Sequence, residues 1–185
     1  MINEIMKDVK HRMDGAIKHF GDELKTFRTG RASIAILDAV TAPYYGQEVP
    51  LNQVANLSTP DPTLILIQPW EQPMLGEIER AILKADLGLN PVNDGRVLKV
   101  PIPALTEEHR QNLIKKAHTL AEDTRNIIRK IRRDGNDDLK KAEKDKEISE
   151  DEMHRGLKQI QEIHDDFIKK VEEILEKKET EITGD

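Results

Sequence analysis

All nine prolines of this 185-residue chain lie between Pro43 and Pro103. Proline lacks the amide hydrogen that an α-helix uses, and its ring clashes with the preceding turn. Long helices can therefore form only outside that stretch. The distribution predicts helical segments at both ends of the chain and a different kind of structure between them.

The first helical segment is predicted over residues 2–27 from the spacing of its apolar side chains. They recur every three or four residues: Ile2, Met6, Val9, Met13, Ala16, Phe20, Leu24 and Phe27. This spacing puts them on one face of a helix and is typical of packing in a bundle. Gly30 follows, and we expect it to end the helix, because glycine readily adopts the left-handed conformation found after helix C-termini.

Two more helices are predicted after the last proline. The second covers residues 106–144, with Thr106 as its cap and acidic residues in its first turn. The third begins at a capping-box pattern formed by Ser149 and Glu152. Its apolar seam contains Met153, Leu157, Ile160, His164, Phe167, Val171 and Ile174. Since no helix has a broad enough apolar face to be stable alone, the three should form a bundle.

The proline-containing segment has the character of a small α+β domain. Its β-type runs cover residues 37–41, 44–49, 54–57, 63–67 and 96–100. A helix is predicted over residues 73–87 with Gly88 as its C-cap, and Asp94-Gly95 should form a tight turn before the last strand.

The predicted fold class is therefore α+β with two domains. Residues 1–29 and 106–185 form the bundle, and residues 31–104 form a domain inserted between its first and second helices. The two connections, residues 29–31 and 101–105, would act as a hinge. The predicted hinge residues are Gly30, Pro101, Pro103 and Ala104.

Composition limits the chemistry. The chain has no cysteine, so it has neither disulfides nor thiolate chemistry, and its formal net charge is −6. We find no signal-peptide pattern and no long apolar run, and we expect a soluble cytoplasmic protein. Phosphate-binding loops and nucleophile motifs are missing, and no histidine has a glutamate three residues before it. We expect no enzyme activity, no cofactor and no metal, with His164 a packed residue of the bundle.

One stretch of the second helix indicates binding. Residues 124–133 contain five basic side chains and no acid. Arg125, Arg129, Arg132 and Arg133 share one helical face. The predicted packed side consists of Leu113, Ala117, Leu120, Ile127, Ile128 and Ile131. Because arginine suits phosphate recognition, we expect an RNA backbone as ligand, although a merely solvated charged face remains the alternative.

Several motifs resemble the ribosome recycling factor family, and they occur in family order along essentially the whole chain. They are residues 28–33 (RTGRAS), 86–91 (DLGLNP), 103–108 (PALTEE), 131–134 (IRRD) and 144–151 (KDKEISED). One departure is Gly135, where the family has a small residue such as alanine. Glycine at this position would weaken the second helix locally by up to about 1 kcal/mol.

The resemblance implies a three-helix bundle joined by a hinge to a β/α/β domain, with an L-shaped, tRNA-like outline. It also implies binding to the post-termination ribosome at the subunit interface, where the bundle contacts large-subunit rRNA. Elongation factor G, with GTP, would then drive the subunits apart and release the mRNA. We expect a monomer. The rRNA-contacting positions implied by the family are Arg28, Arg31, Arg110, Arg129, Arg132 and Arg133, to which the helical face adds Arg125.

Two other classes of function remain open from the residues alone. A coiled-coil adaptor would bind another protein through its apolar seam. A general RNA-binding protein would bind unrelated duplex RNA with comparable affinity.

Overall fold

Within residues 1–184, which the computed structural model describes, the chain forms four α-helices and six β-strands. The helices are α1 (Ile2–Lys25), α2 (Met74–Lys84), α3 (Glu107–Lys144) and α4 (Glu150–Thr183). The strands are β1 (Thr41–Tyr44), β2 (Gln47–Pro50), β3 (Ala55–Asp61), β4 (Leu64–Pro69), β5 (Val92–Asn93) and β6 (Leu98–Pro101). Two 3-10 turns cover Ile34–Leu37 and Leu51–Gln53.

The chain divides into two compact units. The bundle unit consists of Met1–Arg28 and Glu107–Asp185, and the inserted unit consists of Thr29–Thr106. Each has its own hydrophobic core. The predicted α+β class, with a helical bundle and a small β-containing domain, is confirmed. In the described part of the chain, no helix is both long and apolar enough to cross a membrane.

The bundle unit is formed by α1, α3 and α4, which pack their apolar seams together. Its largest fully buried side chains are Met13, Phe20, Ile128, Leu139 and Ile160. The prediction that Gly30 ends the first helix is wrong. Helix α1 ends at Lys25, and the amides of Thr26 and Phe27 close its last turn on the carbonyls of Glu23 and Leu24.

Helix α4 begins as its sequence predicts. The Ser149 hydroxyl accepts a hydrogen bond from the Glu152 amide at 3.2 Å, and the Ser149 amide donates to Glu152 Oε2 at 2.8 Å. These hydrogen bonds satisfy amides that would otherwise lack partners at a helix N-terminus. The Ser149 amide and hydroxyl both donate to the Glu152 carboxylate, and these two hydrogen bonds hold the pKa of Glu152 below its ordinary value because they favour the ionised form.

Gly135 has a packing role that the sequence did not indicate. A Cβ added there would lie 2.7 Å from Val9 Cγ2 on α1 and 3.0 Å from Ile160 Cδ1 on α4. The missing side chain therefore allows α3 to approach both neighbours. Gly156 of α4 is similar, since an added Cβ would lie 2.8 Å from Leu139 Cδ1 of α3. The low helix propensity of glycine at position 135 is thus accompanied by a close three-helix contact.

The inserted unit contains a β1–β2 hairpin and an antiparallel sheet in the order β3-β4-β6-β5. Helix α2 connects β4 to β5 and buries Met74, Leu75, Ile78 and Ile82. The predicted tight turn at Asp94-Gly95 is confirmed, because β5 and β6 pair antiparallel on either side of it. Asp94 Oδ1 accepts hydrogen bonds from the amides of Arg96 and Val97 at 3.0 and 2.9 Å, which lowers the pKa of Asp94.

Three local predictions in this unit are wrong. Residues 37–41 are not a strand, because the Ser33 hydroxyl caps a 3-10 turn over Ile34–Leu37 and only Thr41 enters β1. The run 44–49 is not one strand either, since a turn at Tyr45-Gly46 divides it. Helix α2 ends at Lys84 with Ala85 as its C-cap, so Gly88 does not have that role.

Candidate nucleic-acid interface

The buried side of α3 fixes where its basic residues can lie. Buried positions along this helix are Ala117, Ala121, Thr124, Ile128, Ile131, Gly135, Leu139 and Ala142. They recur at helical spacing and face α1 and α4. Residues on the opposite side of α3 must therefore point away from the bundle.

Arg129, Lys130 and Arg133 lie on that opposite side, and we call them the outward α3 face. Lys130 and Arg133 are exposed, and neither side chain has a hydrogen bond or ion pair within residues 1–184. Arg129 donates to Glu122 Oε1 at 3.0 Å and to Asn126 Oδ1 at 2.9 Å. Its partners belong to the same exposed helix surface, where such pairs contribute little to stability and exchange readily.

Arg125 and Arg132 turn toward α4 instead. Arg125 Nε donates to Glu172 Oε1 at 2.8 Å, and another of its guanidinium nitrogens donates to Glu122 Oε2 at 3.0 Å. Only 16% of the Arg125 side chain is exposed. Arg132 is half-buried and donates to Gln161 of α4 at 3.3 Å. The structure therefore separates the four arginines that helical periodicity places on one face.

The pKa shifts also reflect the pairing of Arg125 with two carboxylates. Burial alone would lower the pKa of Arg125, but the two carboxylates raise it above its ordinary value, so this cation is firmly charged and paired. The hydrogen bonds from Arg129 and Arg125 lower the pKa of Glu122. Residues 124–133 contain no acid, but Glu172 accepts a hydrogen bond from Arg125, and Glu122 accepts one from Arg129. Two of the five cations, Arg125 and Arg129, thus have carboxylate partners.

The prediction that Ile127 packs in the bundle is wrong, because 46% of this residue is exposed. Its neighbour Ile128 is fully buried. Ile127 lies on the edge of α3 opposite to Arg125, at the border between the buried and outward sides. The isoleucine is thus an apolar residue beside the outward α3 face.

The other predicted rRNA-contacting residues lie elsewhere. Arg110 is half-buried in the first turns of α3, with a guanidinium nitrogen 3.9 Å from Glu107 and a buried Nε without a hydrogen-bond partner in the described chain. Along α3, Arg110 and Arg133 are about 35 Å apart at 1.5 Å per residue. Arg28 follows α1 in the bundle unit, whereas Arg31 is an exposed residue of the inserted unit. The seven arginines do not form a single cluster on α3.

The predicted hinge residues lie close to the ends of the inserted unit. Gly30 has a φ of +76°, and a Cβ added there would lie 3.2 Å from Leu105 Cγ. The two connections therefore run side by side at that point. Pro101 belongs to β6, where it pairs with Leu64. Pro103 and Ala104 follow outside the strand and are exposed.

His164 is buried in the bundle, as its position in the apolar seam indicates. Its Nδ1 lies 2.9 Å from Asp165 Oδ1, and this hydrogen bond lowers the pKa of Asp165. Its buried Nε2 has no hydrogen-bond partner among residues 1–184. Over the same residues, no group of three or more histidine, aspartate or glutamate side chains is arranged to hold a metal ion.

The geometry defines a two-unit α+β protein whose longest helix presents a cationic surface. Comparison with known proteins identifies the family. The ribosome recycling factor family model matches residues 20–183. The chain belongs to the ribosome recycling factor family.

Individual relatives agree with this assignment over nearly their full length. The ribosome-recycling factor of Carboxydothermus hydrogenoformans is 50% identical over 182 residues, which is 98% of each chain. That of Natranaerobius thermophilus is 47% identical over 183 residues, 99% of this chain and 100% of the relative.

Solved structures show the same similarity. A solution structure of the ribosome recycling factor covers 100% of this chain and 98% of its own, with a TM-score of 0.75 and 35% identity. A second comes from models of the T. thermophilus ribosome recycling factor and the E. coli elongation factor G bound to the E. coli post-termination complex. It has a TM-score of 0.63, 43% identity and 98% coverage of both chains. The predicted family is thus confirmed, and the similarity supports a role in ribosome recycling.

Proposed function

We propose that this protein binds the post-termination ribosome and, with elongation factor G and GTP, promotes its dissociation into subunits and the release of mRNA. Family membership supports the ribosome as target, and a related factor at 43% identity is described with elongation factor G on the post-termination complex. The outward α3 face is the observation that carries the proposed mode of binding, because it offers cations without strong internal partners.

The outward α3 face would contact phosphates of the large-subunit rRNA. Arg133 and Lys130 can do so directly, since both are exposed and unpaired within residues 1–184. Arg129 would exchange its exposed partners Glu122 and Asn126 for a phosphate, which accepts two parallel hydrogen bonds from a guanidinium group. Arg132 would exchange Gln161, a neutral partner at 3.3 Å, for a phosphate.

Arg125 would contribute differently. Releasing it for RNA would break hydrogen bonds to two carboxylates and leave Glu172 and Glu122 facing the phosphates. Its role in this proposal is therefore to hold α3 against α4 and to neutralise two acids beside the outward α3 face. Arg28, Arg31 and Arg110 would provide further rRNA contacts away from that face.

We also propose that the two connections act as a hinge between the units. Residues 29–31 and 103–105 are the candidates for it. Pro101 belongs to the β6 strand, so we assign it to the inserted unit instead. Motion at these connections would let the bundle stay on rRNA while the inserted unit changes position during the elongation factor G step.

Binding of variants to ribosomes across a series of salt concentrations tests the RNA contact. The Arg129→Ala/Lys130→Ala/Arg133→Ala variant should bind less tightly and lower the slope of log K against log salt by roughly 0.7–0.9 for each phosphate that it no longer neutralises. The matched control is Lys158→Ala/Lys169→Ala/Lys177→Ala, which removes the same charge from exposed positions of α4. An equal loss of affinity in the control would show that net charge, rather than the outward α3 face, governs binding.

Two further arms make the test specific. Arg125→Ala should lower bundle stability by about 1 kcal/mol, because it removes a largely buried arginine from two half-exposed carboxylates, while changing the salt slope less than Arg133→Ala does. Subunit dissociation with elongation factor G and GTP, followed by light scattering at saturating protein, tests the activity itself. Normal ribosome binding without any stimulated dissociation would contradict the proposed function. Tight binding to unrelated duplex RNA would favour the general RNA-binding alternative.

A further inference from the structure

The inserted unit contains both tyrosines and the single tryptophan of the chain. Two of these three are strongly exposed: Tyr45 at 84% and Trp70 at 66%. Large aromatic side chains contribute strongly to a hydrophobic core when they are buried. This chain has only six aromatic residues, and two of them are left in solvent here. Exposed aromatic residues of this kind are enriched where proteins bind partners.

Glu71 joins the two tyrosines into one surface, and the exposed Trp70 precedes it in the chain. Glu71 Oε1 accepts a hydrogen bond from the Tyr44 hydroxyl at 2.7 Å, and its Oε2 lies 3.4 Å from the Tyr45 hydroxyl. The two tyrosine rings meet edge to face with centroids 4.5 Å apart. Trp70 is the residue before Glu71, so their Cα atoms are about 3.8 Å apart. We call Tyr44, Tyr45, Trp70 and Glu71 the aromatic–acidic patch.

The backbone holds Tyr45 in an unfavourable conformation to make this surface. Tyr45 and Gly46 are the central residues of the β1–β2 hairpin, with φ of +47° and +80°. This is the pattern of a type I′ turn, which needs positive φ at both positions and prefers Asn-Gly or Gly-Gly because a bulky side chain is strained there. The Tyr45 ring is not buried, so core packing does not repay this strain. Strain at an exposed side chain is typical of a functional position.

The chemistry of the patch suits a cation. Tyrosine and tryptophan faces attract lysine and arginine side chains, and a carboxylate adds charge-assisted hydrogen bonds. Each Glu71 oxygen faces one tyrosine hydroxyl, and a carboxylate can accept about four hydrogen bonds, so acceptor capacity remains. Glu48 lies on the same hairpin, where it accepts from Thr41 at 2.9 Å. The Glu71 carboxylate within the patch would repel a phosphate backbone here.

We propose that the aromatic–acidic patch docks a lysine- or arginine-bearing segment of a protein partner on the ribosome. This inference rests on the proposed function, because the partner is met only when the chain is bound there. The two units then recognise opposite chemistries: the outward α3 face binds anionic RNA, and the aromatic–acidic patch binds a cationic protein segment.

Site-specific photo-crosslinking tests the identity of the partner. Tyr45 is replaced by p-azidophenylalanine, which keeps the ring, and the protein is irradiated on purified post-termination ribosomes with and without elongation factor G. We expect adducts that protease removes and ribonuclease leaves intact, mapping to a peptide that contains lysine or arginine. Adducts that only ribonuclease removes would overturn the inference, as would no adduct on ribosomes that retain the protein.

Co-sedimentation in the same reactions separates the two proposals. Retention on ribosomes without a protein adduct contradicts only the docking surface. Loss of retention in the unmodified protein contradicts the proposed function, and the inference with it.

Substitutions then test the chemistry. Glu71→Gln keeps the size of the side chain but removes its charge. Tyr45→Asn removes the ring while keeping a residue that tolerates positive φ, so it should fold at least as stably. With p-azidophenylalanine placed at position 70, each should lower the yield of the protein adduct about three- to tenfold. The control Leu83→Ala removes another exposed apolar side chain of the unit and should leave the yield unchanged. Equal yields in all three would contradict recognition by the patch.

Discussion

The two units of this protein treat their aromatic and charged residues in opposite ways. In the bundle unit all three phenylalanines are buried, and cations lie on the outward α3 face. In the inserted unit Tyr45 and Trp70 are exposed beside a carboxylate, and the core is almost entirely aliphatic. Because each core is separate, surface chemistry can differ between the units without compromise in packing.

Phe27 shows how the bundle treats an aromatic ring near cations. The Lys116 ammonium lies 5.3 Å and the Lys178 ammonium 6.0 Å from its ring centroid. Both lysines belong to the bundle itself, so the attraction is used internally to secure the end of α1. In the aromatic–acidic patch the same kind of ring is left open to solvent. The contrast indicates that exposure, rather than residue type, distinguishes a binding surface from a packing contact.

The largest effect is expected from the bundle core. Ile128→Ala should lower the free energy of unfolding of the bundle unit by about 2–5 kcal/mol, because it removes a fully buried side chain. Ile127→Ala, one residue away and half exposed, should change it by less than about 0.5 kcal/mol. Circular dichroism follows the bundle helices, while Trp70 fluorescence reports only the inserted unit. An equal shift in both signals would show that the units unfold together.

A smaller effect is expected where the three helices meet. Gly135→Ala gains helix propensity but pushes a methyl group against Val9 and Ile160, so we expect a net loss of up to about 2 kcal/mol. The matched control is Gly15→Ala on α1, where an added Cβ has nothing within 4 Å. That variant should gain about 0.5–1 kcal/mol. Stabilisation by both substitutions in chemical denaturation would contradict the close contact at Gly135.

The smallest effect concerns acid. The folded-state pKa of Glu152 in the bundle unit and of Asp94 in the inserted unit is lowered, so each contributes stability above its ordinary value of 4.5 or 3.8. That stability is lost as the pH falls through the lower folded-state pKa. Glu152→Gln should reduce the acid sensitivity of the circular-dichroism transition, and Asp94→Asn that of Trp70 fluorescence. If Glu152→Gln instead altered the fluorescence transition and Asp94→Asn the circular-dichroism transition, the assignment of the two carboxylates to separate units would be contradicted.

The helices of the bundle could be predicted from the sequence because their signals are local. Apolar residues three and four apart define α1, α3 and α4, and the Ser149–Glu152 capping box marks the start of α4 correctly. The strands and turns of the inserted unit were harder to predict from the sequence. Short apolar runs do not distinguish a strand from a 3-10 turn, as at residues 37–41, and no rule for turns predicts tyrosine at a positive φ.

The candidate rRNA interface was only partly predictable. Helical periodicity placed Arg125, Arg129, Arg132 and Arg133 on one face, but it could not show which of them α4 would engage. Glu172 is 47 residues from Arg125 in sequence, and only the packed bundle brings them together. Gly135 was missed for a similar reason, since Val9 and Ile160 meet it only in the folded state. An arginine near the edge of a predicted packing face, such as Arg125, can therefore pair with an acid of the neighbouring helix.

The interrupted bundle has a consequence for the order of synthesis. Helix α1 leaves the synthesising ribosome first, but its packing partners α3 and α4 begin only after Thr106. At roughly 5–20 residues per second, the apolar seam of α1 must wait several seconds while the inserted unit is made and folds. During this interval Met13 and Phe20, which the folded bundle buries, are exposed to solvent. A nascent chain of this protein therefore leaves the apolar seam of α1 uncovered until its last helix has emerged.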